Sequence, residues 1–274
     1  MVETKQPIEF LKKYHTFIFD CEGTIWNVDK AIDGADKVIS KLKSQGKAVY
    51  LLSNLSFHTP QQISSSAGKH GIIVDQSHCL SAAFLTCKYL KEHSVKTAYV
   101  VGMSMLGEMI GKEGIITYGC ADDNNQVESR DLENNPKHVD AVVVANDLDF
   151  NSCKLMKAIN YIREGAMFIC TCNDKYFKSR DFLCPNVGFI VSCITPCVDV
   201  SPIVIGKPEK YGFEFIHQSE KKEKAGYLMI GDSIDTDIML GVNAGIDTAL
   251  VLTGVSQLPS PQATYVIKSI NDLL

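Results

Sequence analysis

The chain has 274 residues, of which 45% are hydrophobic and 22% charged, a globular composition long enough for two domains. Its formal charge of −5 excludes the basic character that nonspecific nucleic-acid binding needs, yet permits an anionic substrate where a metal or a placed cation reverses the field locally. No apolar run has the length of a membrane-spanning helix, and Met1 to Glu9 lack the charged-then-apolar build of a signal peptide.

Ten cysteines are present, but Cys170-x-Cys172 and Cys193-x-x-x-Cys197 have no His partners at zinc-site spacing. The expectation is therefore a cytoplasmic chain with reduced, mostly buried thiols, no nucleic-acid partner and no membrane.

In chain order, Tyr14–Phe19 reads as a buried strand ending in Asp20-Cys21-Glu22-Gly23-Thr24. Gly34–Gln45 reads as an amphipathic helix, with Ala35, Val38, Ile39 and Leu42 at helical spacing and Gly46 as its stop. Ala48–Leu52 is a second buried strand running into Ser53-Asn54, and Pro60–His70 is helical, closed by Gly71. This βαβ order predicts a parallel sheet with right-handed crossovers. The middle repeats it: strand Thr97–Val101, helix Met103–Gly111, strand Ala141–Ala145, helix Ser152–Arg163 and strand Met167–Cys170. Between them, 121–137 is rich in Asp, Asn and Glu and reads as an exposed loop. In the last third, Ile203–Ile205 leads to Gly206-Lys207-Pro208, Tyr227–Ile230 to Gly231-Asp232, and Thr248–Leu252 closes the alternation.

Four of these segments share one grammar, a buried strand running into polar residues: Asp20 with Glu22, Ser53 with Asn54, Lys207, and Asp232 with Asp237. Singly each has a plain explanation. A strand-end Asp is often a helix cap, Ser-Asn is turn chemistry, and a loop lysine is usually solvated. Together, at the carboxyl ends of strands in an open α/β sheet, they are where a ligand is expected.

The order and wording of these segments resemble the haloacid dehalogenase (HAD) phosphohydrolases. Phe19-Asp-Cys-Glu-Gly-Thr-Ile-Trp stands in place of the family's Asp-x-Asp-x-Thr, and Ile205-Gly-Lys-Pro-Glu-Lys, Gly231-Asp with Thr236-Asp237 and Leu250-Val-Leu-Thr-Gly-Val-Ser follow. The likeness is to the branch with a large α/β cap, which includes 4-nitrophenylphosphatase, phosphoglycolate phosphatase and pyridoxal phosphatase. It implies a Rossmann-like parallel-sheet core over 1–81 and 183–274 with an inserted α/β cap over 82–182.

It also implies a Mg²⁺-dependent hydrolysis of a small phosphomonoester through an aspartyl-phosphate. Asp20 is the nucleophile, Glu22 the general acid and base, and Lys207 and Ser53 the groups that balance and hold the phosphate, with Asn54. Asp20, the main-chain carbonyl of Glu22 and Asp232 hold the metal, with Asp237 behind them. Asp147 and Asp174 of the cap are candidate substrate contacts. The expected partner is a small phosphorylated metabolite, with a homodimer through the cap as in relatives.

The chain departs from the family at several points. Glu22 replaces the second Asp and carries its carboxyl about 1.5 Å further out. Leu55, Cys172 and Phe189 stand where the family has Asn, Asn and Ser. The departures leave two readings open: a working phosphatase, slowed or not by Glu22, and a catalytically impaired relative that binds a phosphorylated ligand or a protein partner.

Overall fold

A computed structural model of the chain describes residues 10–27, 30–123, 136–179 and 182–274. They form two compact units. The first comprises residues up to Ser53, Pro60–Ser81 and Lys207–Leu274; the second comprises Asn54–Thr59 and Ala82–Gly206. No helix among the described residues is long and apolar enough to cross a membrane. All ten cysteines are free, and only Cys197 is exposed.

The first unit is built on a six-stranded sheet. Across it run Tyr265–Ile267, Asp247–Val251, Tyr227–Gly231, Thr16–Phe19, Ala48–Ser53 and Cys79–Ser81. Every neighbouring pair is parallel. Central strands of such a sheet are covered on both faces, so their sequences are unbroken apolar runs. All four residues of Thr16–Phe19 and all five of Tyr227–Gly231 are buried. Phe17 and Phe19 point to one face, where they join Val38, Ile39 and Leu42 from helix Ala35–Ser44 and Ile63 from helix Pro60–Lys69. The chain reverses direction across the sheet between Thr16–Phe19 and Tyr227–Gly231: one half is built outward from the first strand, the other from the second. Such a switch point opens a crevice beyond the strands' carboxyl ends.

The second unit holds a five-stranded parallel sheet in the order Ile203–Val204, Met167–Cys170, Ala141–Val144, Thr97–Val101 and Ile116–Gly119. The same unit contains a separate antiparallel pair, Tyr176–Ser179 with Phe182–Pro185. Helix Ser152–Arg163 is capped by Asn151, whose side chain accepts from the Cys153 and Lys154 amides. Two lysines of this helix are buried in ion pairs, Lys154 with Asp147 and Lys157 with Asp123, each at 2.7 Å. The Tyr99 hydroxyl donates to the other oxygen of Asp123 at 2.6 Å.

Two expectations change. The sequence placed 183–206 with the first unit, but Phe182–Pro185 is paired within the second, helix Val187–Ile194 packs in its core, and Ile203–Val204 hydrogen-bonds beside Met167–Cys170. The chain returns to the first unit only at Lys207. The strand leading to Lys207 therefore belongs to the other sheet: its register puts Ile203 opposite Ile169 and Val204 opposite Cys170. Of the expected loop at 121–137, Cys120–Asp123 forms a single 3₁₀ turn, and 124–135 lie outside the described residues.

Removing one partner of a fully buried ion pair strands the other charge. Lys157→Ala is expected to lower unfolding stability by about 3–5 kcal/mol, read by urea titration; a loss below about 1 kcal/mol, the value of a surface pair, would contradict the buried assignment.

Candidate active site

Asp20 and Asp232 are the first residues beyond the two strands that flank the switch point. The Asp20 amide still bonds to the Ile230 carbonyl at 2.9 Å, so its Cα is held by the sheet. Directly after it the chain coils: the Cys21 carbonyl accepts from the amides of Thr24, Ile25 and Trp26. Gly23 adopts φ 83° in this coil, a conformation that costs a side-chain-bearing residue and not glycine. A Cβ there would also strike the Asp232 carboxylate.

Asp232 is fixed from behind by a loop that follows the neighbouring strand. Its Oδ2 accepts from the Val255 amide at 2.6 Å and its carbonyl from the Ser256 amide at 3.0 Å. The same loop reaches the first one, where the Thr253 hydroxyl donates to the Gly23 carbonyl at 2.6 Å. Asp237 sits in a short π-helical turn, Ile234–Ile238, and is fully buried. Its Oδ2 accepts from the Ser233 amide at 3.0 Å.

Lys207 joins these elements. Its Nζ donates to Asp20 Oδ1 at 2.5 Å and to Asp237 Oδ1 at 2.7 Å, and only 3% of the residue is exposed. One carboxylate oxygen from each of Asp20, Asp232 and Asp237 lies within 4.8 Å of the others. Three carboxylates thus face one ammonium, which leaves two negative charges unbalanced when all are ionised.

The electrostatics follow. Burial pushes the Asp20 pKa well above its usual 3.8; Lys207 pulls it down, and the charges of Asp237 and Asp232 push it up again. Burial, reinforced by Asp237, raises Asp232 to about 6. For Lys207, burial works against the charge, but Asp20 and Asp237 outweigh it and keep the ammonium protonated. A buried set of carboxylate oxygens with excess negative charge fits a hard divalent cation such as Mg²⁺.

The remaining sequence candidates are distributed as follows. Ser53 ends its strand, buried, opposite Ser81. The Glu22 side chain is exposed, outside the three-carboxylate group, while its backbone bridges to Trp26. Asn54, Asp147 and Asp174 belong to the second unit. There Asn54 Nδ2 donates to Asp174 Oδ2 at 3.0 Å, whereas Asp147 is occupied by Lys154 and by the Asp149 amide. Sequence reasoning gave no role to Thr253 or Val255. The only signal for them was the turn Thr-Gly-Val-Ser after an apolar run.

Asp232 makes the metal-free protein pH-sensitive. With a folded pKa of about 6 against 3.8, the folded chain holds its proton longer than the unfolded one, so stability falls as pH rises through that window. A bound cation offsets that loss. Thermal melts with and without Mg²⁺ are expected to show a larger gain in Tm at pH 8 than at pH 5; equal gains, or none, would contradict a cation site at these carboxylates.

The comparisons with known proteins agree with this geometry. Residues 17–116 match the family model for haloacid dehalogenase-like hydrolases, and 204–273 match a HAD-hydrolase-like model. The chain is 34% identical over 251 residues to phosphoglycolate phosphatase 2 of Arabidopsis thaliana, covering 88% of this chain and 83% of that one. It is 31% identical over 271 residues to an acid sugar phosphatase of Staphylococcus saprophyticus, covering 96% and 98%. Among solved structures, a thermostable NPPase double mutant from Geobacillus stearothermophilus superposes with a TM-score of 0.82 at 27% identity, over 95% of this chain and 98% of that one. The chain belongs to the haloacid dehalogenase-like hydrolases, among their phosphatases with an inserted α/β cap domain.

Proposed function

We propose that the chain is a Mg²⁺-dependent phosphatase that hydrolyses a small phosphomonoester through an aspartyl-phosphate on Asp20. The observation that carries the reading is the buried group of Asp20, Asp232 and Asp237 around the Lys207 ammonium. Asp20, Asp232 and the main-chain carbonyl of Glu22 would hold the cation, with Asp237 supporting it. The cation, when bound, offsets the charge of a phosphate brought against a carboxylate.

The rest falls to the chain's own side chains. A carboxylate oxygen of Asp20 attacks phosphorus, the bond from phosphorus to the ester oxygen breaks, and Glu22 gives that oxygen a proton. Glu22 then takes a proton from water, whose oxygen attacks phosphorus and releases Asp20. Lys207 keeps Asp20 aligned and neutralises charge on the transferring group. Ser53 and the Asn54 amide hold the phosphate oxygens. The exposed position of Glu22 suits a group that must meet both a leaving group and water. Relatives named for phosphoglycolate and for acid sugars make small phosphorylated metabolites the first substrates to assay. A homodimer through the cap domain is part of the same proposal, carried over from the resemblance.

Two measurements test it. Wild-type protein is expected to release 4-nitrophenol from 4-nitrophenyl phosphate only with Mg²⁺, and Asp20→Asn to lose at least about 10³-fold in kcat. Phosphate binding without turnover would favour the impaired, ligand-binding relative instead. Glu22→Asp is expected to raise kcat if the longer acid misplaces its carboxyl, since ~1 Å of misplacement is worth on the order of 10²; a lower kcat would show the site is fitted to Glu.

A further inference from the structure

The segment Asn54–Thr59 is bounded on both sides by the first unit in sequence, yet it packs with the second. Among the contacts that hold it there are Asn54 Nδ2 to Asp174 Oδ2 at 3.0 Å, the Ser56 and Thr171 hydroxyls at 2.9 Å, and the Ala83 amide to the Leu55 carbonyl at 3.2 Å. The other end of the Asn54 amide lies over Gly206. A Cβ on Gly206 would sit 2.6 Å from Asn54 Oδ1 and 2.7 Å from the Thr171 carbonyl. Gly206 has no left-handed φ; it is glycine because there is no room. The Asn54 side chain is therefore held between a carboxylate and a backbone that has come as close as it can.

Its two chain neighbours give this clamp its consequence. Ser53 precedes Asn54, and Lys207 follows Gly206. One peptide step is about 3.8 Å, so each clamped residue is covalently adjacent to a residue of the candidate site.

We propose that Asp174 is a positioning residue that acts through Asn54, rather than a group that touches the substrate. By accepting the Asn54 amide hydrogen, its carboxylate fixes the Asn54 backbone and with it the main-chain N–H that directly follows Ser53 in the chain. Charge-assisted bonds of this kind are stronger than neutral ones, which suits one asked to hold a backbone. The proposal rests on the phosphate-holding role given above to Ser53 and Asn54.

The test is binding of inorganic phosphate, measured by calorimetry in Mg²⁺, together with KM and kcat for 4-nitrophenyl phosphate. Asp174→Ala is expected to weaken phosphate binding and raise KM about ten-fold, the worth of one hydrogen bond to a charged group. Asp174→Asn, whose amide oxygen still accepts from Asn54, is expected to recover most of that loss. An Asp174→Asn protein as impaired as Asp174→Ala would overturn the proposal, because the carboxylate would then be acting directly. Unchanged phosphate affinity in Asp174→Ala would overturn it as well. If Asp174→Ala does not fold, Asn54→Ser removes the donor and keeps the main-chain N–H; weaker phosphate binding supports the clamp and unchanged binding overturns it. A wild-type protein that binds no phosphate would instead overturn the phosphate role on which the clamp rests.

Discussion

Everything in the candidate site depends on one ammonium buried between two carboxylates. Lys207 is 3% exposed and its Nζ meets Asp20 and Asp237 at once. Such burial is a poor way to gain stability, because removing charges from water costs several kcal/mol per ion and the pairing does little more than offset it. Here the arrangement is also incomplete, with Asp232 adding a third carboxylate beside them. A fold that gathers excess negative charge in its interior has strained its own electrostatics, and strain of this sort gathers where chemistry is done.

The topology explains how so few residues achieve this. A parallel sheet whose two halves grow in opposite directions leaves a crevice beyond the strands at the point of reversal. Asp20 and Asp232 are the first residues past those two strands, so their positions are set by hydrogen-bonded register and not by loop flexibility. Asp237 is added by a tight turn of helix, and Lys207 by a chain segment that has just left the other sheet. The loop at Thr253–Ser256 then ties the segments carrying the first two together, through the Thr253 hydroxyl to the Gly23 carbonyl and through the Val255 and Ser256 amides to Asp232.

Much of this was legible in the sequence because central parallel strands must be continuously apolar, and a polar residue that ends such a run stands out. Asp20, Ser53 and Asp232 stand out that way, and the helical spacing of Ala35, Val38, Ile39 and Leu42 marks the helix that forms at Ala35–Ser44. What stayed hidden has equally physical causes. Ile203–Val204 is a two-residue strand, and so short an apolar run carries no sign of which sheet it will join; that misplaced 183–206. Val255 contributes only a main-chain N–H, which has no signature in side-chain chemistry. The Asn54–Asp174 bond spans 120 residues, beyond the reach of any local pattern.

The central proposal is that Asp20, one of the two carboxylates held by Lys207, is the one that takes the phosphoryl group. It is tested most directly by quenching wild-type protein during turnover, reducing any acyl phosphate with borohydride, and reading the peptide around Asp20 by mass spectrometry. The account requires conversion of Asp20, and of no other carboxylate, to the reduced homoserine product, in an amount that depends on substrate. Turnover with Asp20 left unmodified, or with the label on another residue, would contradict it.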